Sequence, residues 1–297
     1  MRVKVIINPA AGLAEPVLPV LNDVFGPAGI EWDVAVTHRG GDGLAAAREA
    51  VEQGFDVIGV YGGDGTIAEV ATALADGGPP MLVLPGGTGN ALANELGIPP
   101  VLAEAAALAM EDASEVRLID LGQVGERRFV LRLTMGFETA LLGAATREMK
   151  DRYGWLAYAL AGVQTLADPP FARYSVVIDG VAFETEGLAA VVANSASIGV
   201  GGAMLVENAD ICDGILDFIV LQNANLPSLL ASVADVAQGQ EPRGLLRWRG
   251  KDIRVVATPR QSILIDGEEA GRTPVEVRVS PQALGVLVPK KTAGEPG

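Results

Sequence analysis

Four short apolar runs lie within the first 85 residues, each stopping at a glycine-bearing turn, with helical patterns between them. No other feature constrains the fold of this chain as strongly. Val3-Lys4-Val5-Ile6-Ile7 reads as a buried strand ending at Asn8-Pro9. Val17 to Phe25 is helical, and Gly26-Pro27 stops it. Glu31 to Thr37 reads as a second strand and Leu44 to Gln53 as a second helix ending at Gly54. Asp56 to Tyr61 is a third strand, Ile67 to Ala75 a third helix, and Met81 to Leu84 a fourth strand. Helical Ala/Leu/Glu-rich segments then run to about Asp112. Short strands alternating with helices build a parallel sheet covered by helices on both faces.

The pattern changes near residue 115. Phe171 to Asp179 and Val181 to Ala193 are extended runs joined at Asp179-Gly180, a hairpin signal. Val275 to Val279 alternates strictly, as a half-buried antiparallel strand does. Ile263-Leu264-Ile265 precedes a second turn signal at Asp266-Gly267. Helical stretches from about Leu141 to Ala167 and from Leu226 to Gln238 interrupt this region; in the first, Leu156, Ala159, Leu160 and Val163 share a face. The expected fold class is α/β in two domains. Residues 1–116 form a parallel α/β domain, 117–289 a mostly antiparallel β-sandwich or barrel with helices, and 290–297 a polar tail.

The formal net charge of −15 repels phosphate backbones, so no nucleic acid is expected as a partner, and any membrane contact must be local. A single cysteine, Cys212, rules out an intramolecular disulfide. The run Val3–Ile7 is too short for the apolar core of a signal peptide, and no stretch approaches the ~20 apolar residues that span a bilayer. The expected location is the cytoplasm. The sequence leaves the oligomeric state open.

The chemistry-bearing segments follow the strands. Gly62-Gly63-Asp64-Gly65-Thr66, with Glu69 three residues on, closes a strand and opens a helix. Backbone N–H groups and the helix dipole attract phosphate at such a turn, and glycines let the backbone come close. Asp64 suits a magnesium ion, held directly or through water, or else a helix cap. Pro85-Gly86-Gly87-Thr88-Gly89-Asn90 repeats this logic one strand later, and Asn8-Pro9-Ala10-Ala11-Gly12 makes a third loop. Successive parallel strands present such loops at one sheet edge, where ligands collect. None of the loops carries the Gly-Lys-Ser/Thr of a Walker loop. Read from residues alone, Asp266-Gly267 is a hairpin turn, Glu268 a solvated turn carboxylate, and Asp210 and Asp213 either loop charge or metal ligands. Arg243, Arg247, Arg249, Lys251 and Arg254 cluster around Trp248, which suits either the wet face of a strand or transient contact with a membrane surface.

In order and spacing these segments resemble the diacylglycerol kinase catalytic-domain family, which includes sphingosine kinases and bacterial lipid kinases. Asn8 to Gly12 is similar to its opening Asn-Pro-x-x-Gly, Gly62 to Glu69 to its GGDGTxNE and Pro85 to Ala93 to its PxGTxNxxA loop. Thr37 resembles its nucleotide-contacting threonine. Gly136-Phe137, Tyr153 to Tyr158, Asn194 to Gly202, Asp210 to Asp217 and Ile265 to Glu268 resemble segments of its second domain. The resemblance implies an ATP-dependent kinase with magnesium and a lipid substrate. Asn8, Pro9, Ala10, Ala11, Gly12, Thr37, Gly62, Gly63, Asp64, Gly65, Thr66, Ile67, Ala68 and Thr88 would bind ATP. Glu268 would be the general base, with Asp266 beside it, and Asp64 would be the third catalytic residue. Asp213 would hold a structural magnesium with the carbonyls of Asp210 and Ile215.

Two residues depart from the family pattern. Ala68 stands where the family often has Asn, and Ala91 where it often has an Asp that helps hold the catalytic magnesium. They keep open a non-catalytic nucleotide- or lipid-binding protein. The shared Gly-Gly-Asp-Gly loop keeps open an NAD-kinase-like or phosphofructokinase-like enzyme.

Overall fold

The computed structural model describes residues 1–11, 15–87, 89–110, 112–136, 171–195, 209–222 and 245–290. Gly12, Thr88, Phe137, the segment Tyr153–Tyr158, the stretches 141–167 and 226–238 expected to be helical, Gly199, Gly201, Gly202 and Arg243 lie outside the described residues. The chain divides into two compact units: Met1–Ile119 together with the residues from Gln282 onward, and Asp120–Pro281.

In the first unit, β1 (Arg2–Ile7), β2 (Glu31–Val36), β3 (Val57–Gly62) and β4 (Met81–Pro85) are parallel, in the order β2-β1-β3-β4. β3 and β4 are buried along their whole length, which is why they read as unbroken apolar runs rather than as alternation. The edge strand β2 carries the polar residues Glu31 and Asp33. The helices are α1 (Val17–Phe25), α2 (Asp42–Glu52), α3 (Asp64–Leu74), α4 (Ala91–Glu95) and α5 (Leu102–Ala107). α3 buries Ile67, Val70, Ala71 and Leu74, a 3–4 residue spacing that forms one apolar face. The helical segments expected up to Asp112 are two: α4 ends at Glu95, Pro99 and Pro100 cannot extend a helix, and α5 starts at Leu102.

The second unit is a two-layer β-sandwich, as the sequence pattern predicts. β5 (Ser114–Val124) leads into β6 (Arg127–Phe129) and β7 (Arg132–Gly136). These are followed by β8 (Ala172–Ile178), β9 (Val181–Gly187), β10 (Ala189–Ala193), β11 (Leu216–Leu221), β12 (Leu245–Gly250), β13 (Asp252–Thr258), β14 (Ser262–Ile265), β15 (Glu268–Arg272) and β16 (Val275–Pro289). One layer runs β12-β11-β10-β7-β14-β15, and in the other the first part of β16 pairs with β13, then β8 and β9 follow. Leu133, Val192 and Phe218 from one layer meet Tyr174, Val255 and Val277 from the other in a shared core. A fully buried side chain of that size contributes roughly 1.5–3 kcal/mol.

Two details differ from the sequence reading. The run Val181–Ala193 is two strands, and its halves belong to different layers. The switch falls at Gly187, where a Cβ would stand 2.6 Å from the Leu221 carbonyl oxygen, so only glycine lets the chain cross there. The expected second domain ran to residue 289, yet residues from Gln282 belong to the first unit. Val286 pairs in parallel with Met81 of β4, and the Asp76 N–H donates to the Ala283 carbonyl at 2.7 Å. Pairing across some two hundred positions leaves no trace in local periodicity.

Candidate functional site

The three glycine-rich loops of the first unit close on one another at the C-terminal ends of β1, β3 and β4. Asn8 Nδ2 donates to Thr66 Oγ1 at 2.9 Å, and the Asn8 side-chain oxygen accepts the Ala10 N–H at 3.0 Å, which shapes the first loop. The Asn8 N–H reaches the Tyr61 carbonyl at 2.9 Å, and the Gly86 N–H reaches the Gly62 carbonyl at 3.2 Å. Asn90 folds its own loop: its Oδ1 accepts the Gly87 N–H at 2.9 Å and its Nδ2 donates to the Gly87 carbonyl at 2.8 Å. A Cβ on Gly87 would lie 2.8 Å from the Gly63 Cα, so these two loops touch backbone to backbone. The arrangement brings Asn8, Gly62, Gly63, Asp64, Thr66, Gly87 and Asn90 together.

Asp64 opens α3, and its Oδ1 accepts the Ala91 N–H at 2.9 Å, so it caps α4 from the neighbouring loop. Ile67 lies in the core at 1 % exposure, and its N–H is bonded to the Gly63 carbonyl at 3.1 Å. It therefore supports the loop from behind. Thr37, at the end of β2, is buried, with its N–H on the Ile7 carbonyl at 2.9 Å. Pro9 and Ala10 are exposed, and Ala11 and Ala68 half-buried.

Glu69 is a clamp whose partners the sequence does not reveal. One carboxylate oxygen accepts the Gly41 N–H at 2.8 Å and the other the Gly43 N–H at 2.9 Å, tying the loop before α2 to α3. Asp42, the first residue of α2, accepts the N–H groups of His38 at 2.9 Å and Arg39 at 3.1 Å from that loop, which hold its carboxyl below the usual range. Glutamine at 69 would set an NH2 group against one of the two glycine N–H donors. Glu69→Gln is therefore expected to cost about 1–2 kcal/mol in urea unfolding. An unchanged midpoint would mean that the loop is held by other contacts.

In the second unit, Asp266 (φ 45°) and Gly267 (φ 88°) form the tight turn between β14 and β15, and Glu268 is the exposed first residue of β15, opposite Ile265. The Asp266 carboxylate turns back into the fold. It accepts the N–H groups of Val130 at 2.8 Å, Leu131 at 3.0 Å and Arg132 at 2.9 Å, while the Asp266 N–H donates to the Arg132 carbonyl at 3.0 Å. Burial pushes its carboxyl up to about 6, against the opposing pull of those three donors. The sequence reading set Asp266 beside the base as a catalytic group. Its side chain instead anchors the turn that carries Glu268.

The carbonyls of Val130 and Leu131 face Asn194. Asn194 Nδ2 donates to the Val130 and Asp120 carbonyls, both at 2.8 Å, and its N–H reaches the Leu131 carbonyl at 2.9 Å. Asp120, fully buried, accepts the Gly214 N–H at 2.5 Å. The sequence reading passed over Asp120, although a lone carboxylate inside the apolar run Leu118-Ile119-Asp120-Leu121 marks a buried anchor.

The magnesium expected at Asp210, Asp213 and Ile215 does not fit the arrangement. Asp213 Oδ1 accepts the Ile215 N–H at 2.9 Å, and its Oδ2 is ion-paired with the Arg249 guanidinium. The Asp210 carbonyl takes the Asp213 N–H at 3.3 Å, and the Asp210 side chain takes the Cys212 N–H at 2.9 Å. Among the described residues no cluster of three or more His, Cys, Asp or Glu side chains is placed to hold a metal ion. Three members of the basic cluster are ion-paired: Arg247 and Arg249 with the buried Asp217, and Arg254 with Glu276 at 3.5 Å on the surface. Trp248 stacks on Phe183, with ring centroids 4.6 Å apart.

Comparison with known proteins covers both units. Residues 2–124 match the diacylglycerol kinase catalytic domain, and residues 133–288 match the YegS C-terminal NAD kinase beta sandwich-like domain. The chain is 30% identical over 299 residues to a Bacillus subtilis protein named diacylglycerol kinase, covering 98% of each. It is 34% identical over 272 residues to a Pseudomonas aeruginosa protein named "Probable lipid kinase YegS-like", covering 91% of this chain and 87% of the relative. A Synechocystis relative, 30% identical over 86% of this chain, is longer, and the match spans 61% of its length. Among solved structures, a Bacillus anthracis protein described as a diacylglycerol kinase shares the fold, with a TM-score of 0.79 at 23% identity, covering 97% of this chain and 96% of that one.

Proposed function

Because the chain belongs to the diacylglycerol kinase catalytic-domain family, we propose that it is an ATP-dependent lipid kinase that transfers the γ-phosphoryl group of ATP to a lipid hydroxyl, on diacylglycerol or a sphingoid-like lipid. The observation that carries this reading is the interlocked edge of three loops, with Gly63 against Gly87 and Asn8 on Thr66. A backbone that close-packed at a helix start aims N–H groups at an anion. Asn8 to Gly12, Thr37, Gly62 to Thr66, Ala68 and Thr88 hold the nucleotide, with Ile67 supporting the loop from behind. Asp64 is the loop carboxylate suited to magnesium, which neutralises phosphate charge when bound.

Glu268 takes the proton. The lipid hydroxyl oxygen bonds to the γ-phosphorus as the bond from that phosphorus to the β–γ bridging oxygen breaks. ADP leaves with the bond's electron pair, and the hydroxyl proton goes to the Glu268 carboxylate. Asp266 positions the turn without touching the reacting atoms.

One observation favours a second reading. The C-terminal match is to a domain described as NAD kinase-like, which makes NAD a candidate acceptor. The test is transfer of γ-labelled phosphate by the purified full chain with magnesium and, separately, diacylglycerol, a sphingoid base, phosphatidylglycerol and NAD. Label in the organic phase supports the lipid kinase, and label in NADP supports the rival. ATP binding without any transfer would mean a non-catalytic member, in line with Ala68 and Ala91.

A further inference from the structure

We propose that the Arg249 guanidinium takes the place of a divalent cation at the 210–215 loop, so that an internal charge locks the second unit and its stability is indifferent to magnesium. Of the oxygens that the family resemblance assigns to a metal, both Asp213 carboxylate oxygens and the Asp210 carbonyl oxygen are engaged here by N–H donors. Asp213 Oδ2 takes Arg249 Nη2, Asp213 Oδ1 takes the Ile215 N–H at 2.9 Å, and the Asp210 carbonyl takes the Asp213 N–H at 3.3 Å.

The guanidinium does what a bridging metal would do. Its Nη2 holds Asp213 in the loop, and its Nε reaches Asp217 Oδ1 on β11 at 3.3 Å. One planar fork thereby ties loop to strand, a geometry that lysine or a point charge cannot copy. Strand register fixes the donor, since Arg249 stands opposite Asp217 in the β11–β12 pair. Arg247 Nε meets the same Asp217 oxygen at 2.6 Å. Two guanidiniums then balance two carboxylates, and Asp217 is only 2 % exposed. A magnesium ion at Asp213 would set two further positive charges against Arg249. Removing Arg249 would leave a buried carboxylate undercompensated and the loop untied.

Folding is the readout, so the result stands whether or not the lipid-kinase reading does. Thermal unfolding of the full chain is compared in EDTA and in millimolar magnesium. The wild-type midpoints should agree within about 1 °C, while Arg249→Gln should lose roughly 3–6 °C in EDTA and regain most of it with magnesium. Loss without recovery would overturn the equivalence of the two cations. A saturable magnesium-dependent rise in the wild type that Asp213→Asn removes would overturn the proposal outright. Should Arg249→Gln fail to fold, equilibrium dialysis with manganese decides. Equal ion counts in wild type and Asp213→Asn support the internal cation, and one ion fewer in Asp213→Asn refutes it.

Discussion

Replacing Glu268 with glutamine is expected to lower lipid phosphorylation by roughly 100-fold or more, about 2.7 kcal/mol or more of lost transition-state stabilisation, with ATP affinity nearly unchanged. Glutamine keeps the shape of the side chain and removes its basicity. The turn that carries residue 268 does not depend on that side chain, because Asp266 fixes it through three backbone donors on the segment 130–132. Glu269 is the internal control. It follows Glu268 on β15, and adjacent residues of a strand point to opposite faces. Glu269→Gln should be nearly silent. Equal turnover in Glu268→Gln and wild type would remove Glu268 from the mechanism, and a large loss in Glu269→Gln alone would move the base by one residue.

Gly63→Val should abolish nucleotide binding without unfolding the protein. Gly63 has an ordinary extended backbone, φ −87° and ψ 178°, and a Cβ there would meet only the Gly87 Cα, at 3.9 Å. The fold therefore accommodates a Cβ at the residue that opens α3, where a phosphate would approach the backbone. Affinity for ATP, measured by calorimetry, should fall roughly 30-fold or more, since phosphate oxygens must approach the backbone itself. Gly87→Ala acts differently. Its Cβ would press on the Gly63 Cα at 2.8 Å and force two backbones apart, so it should lower the unfolding free energy as well, by about 1–3 kcal/mol. Tight ATP binding by Gly63→Val would place the nucleotide elsewhere.

The first unit was legible because its signals are local. Each parallel strand is an apolar run closed by glycine, and strand, turn and helix follow within about ten residues. The second unit was harder. β5, β7, β11 and β13 do not stand out in the sequence, because antiparallel strands buried on one or both faces give mixed patterns. The candidate site divides the same way. The loops at Asn8, Gly62 and Pro85 announce themselves, whereas Glu69 acts on glycines 28 and 26 positions away and Asp120 on one 94 positions away. The sequence shows Asp213 as a carboxylate in a loop; that its partner is a guanidinium 36 positions on emerges only once β11 and β12 pair.

The return of β16 to β4 sets an order on synthesis. The first unit is discontinuous in sequence: its sheet needs Val286 beside Met81, and its loops need the Ala283 carbonyl for Asp76 and the Ala113 carbonyl for Lys290. A ribosome that has released only the first 119 residues has therefore delivered a sheet with an open flank at β4. Leu284, Val286 and Val288, all buried in the finished protein, follow only after the sandwich strands β5 to β15. The N-terminal unit cannot complete itself during translation ahead of the sandwich, and its sheet stays open at β4 until residues 282–290 have emerged. An isolated 1–119 fragment should accordingly aggregate, and a circular permutant that places residues 282–290 ahead of Met1 should fold its first unit early.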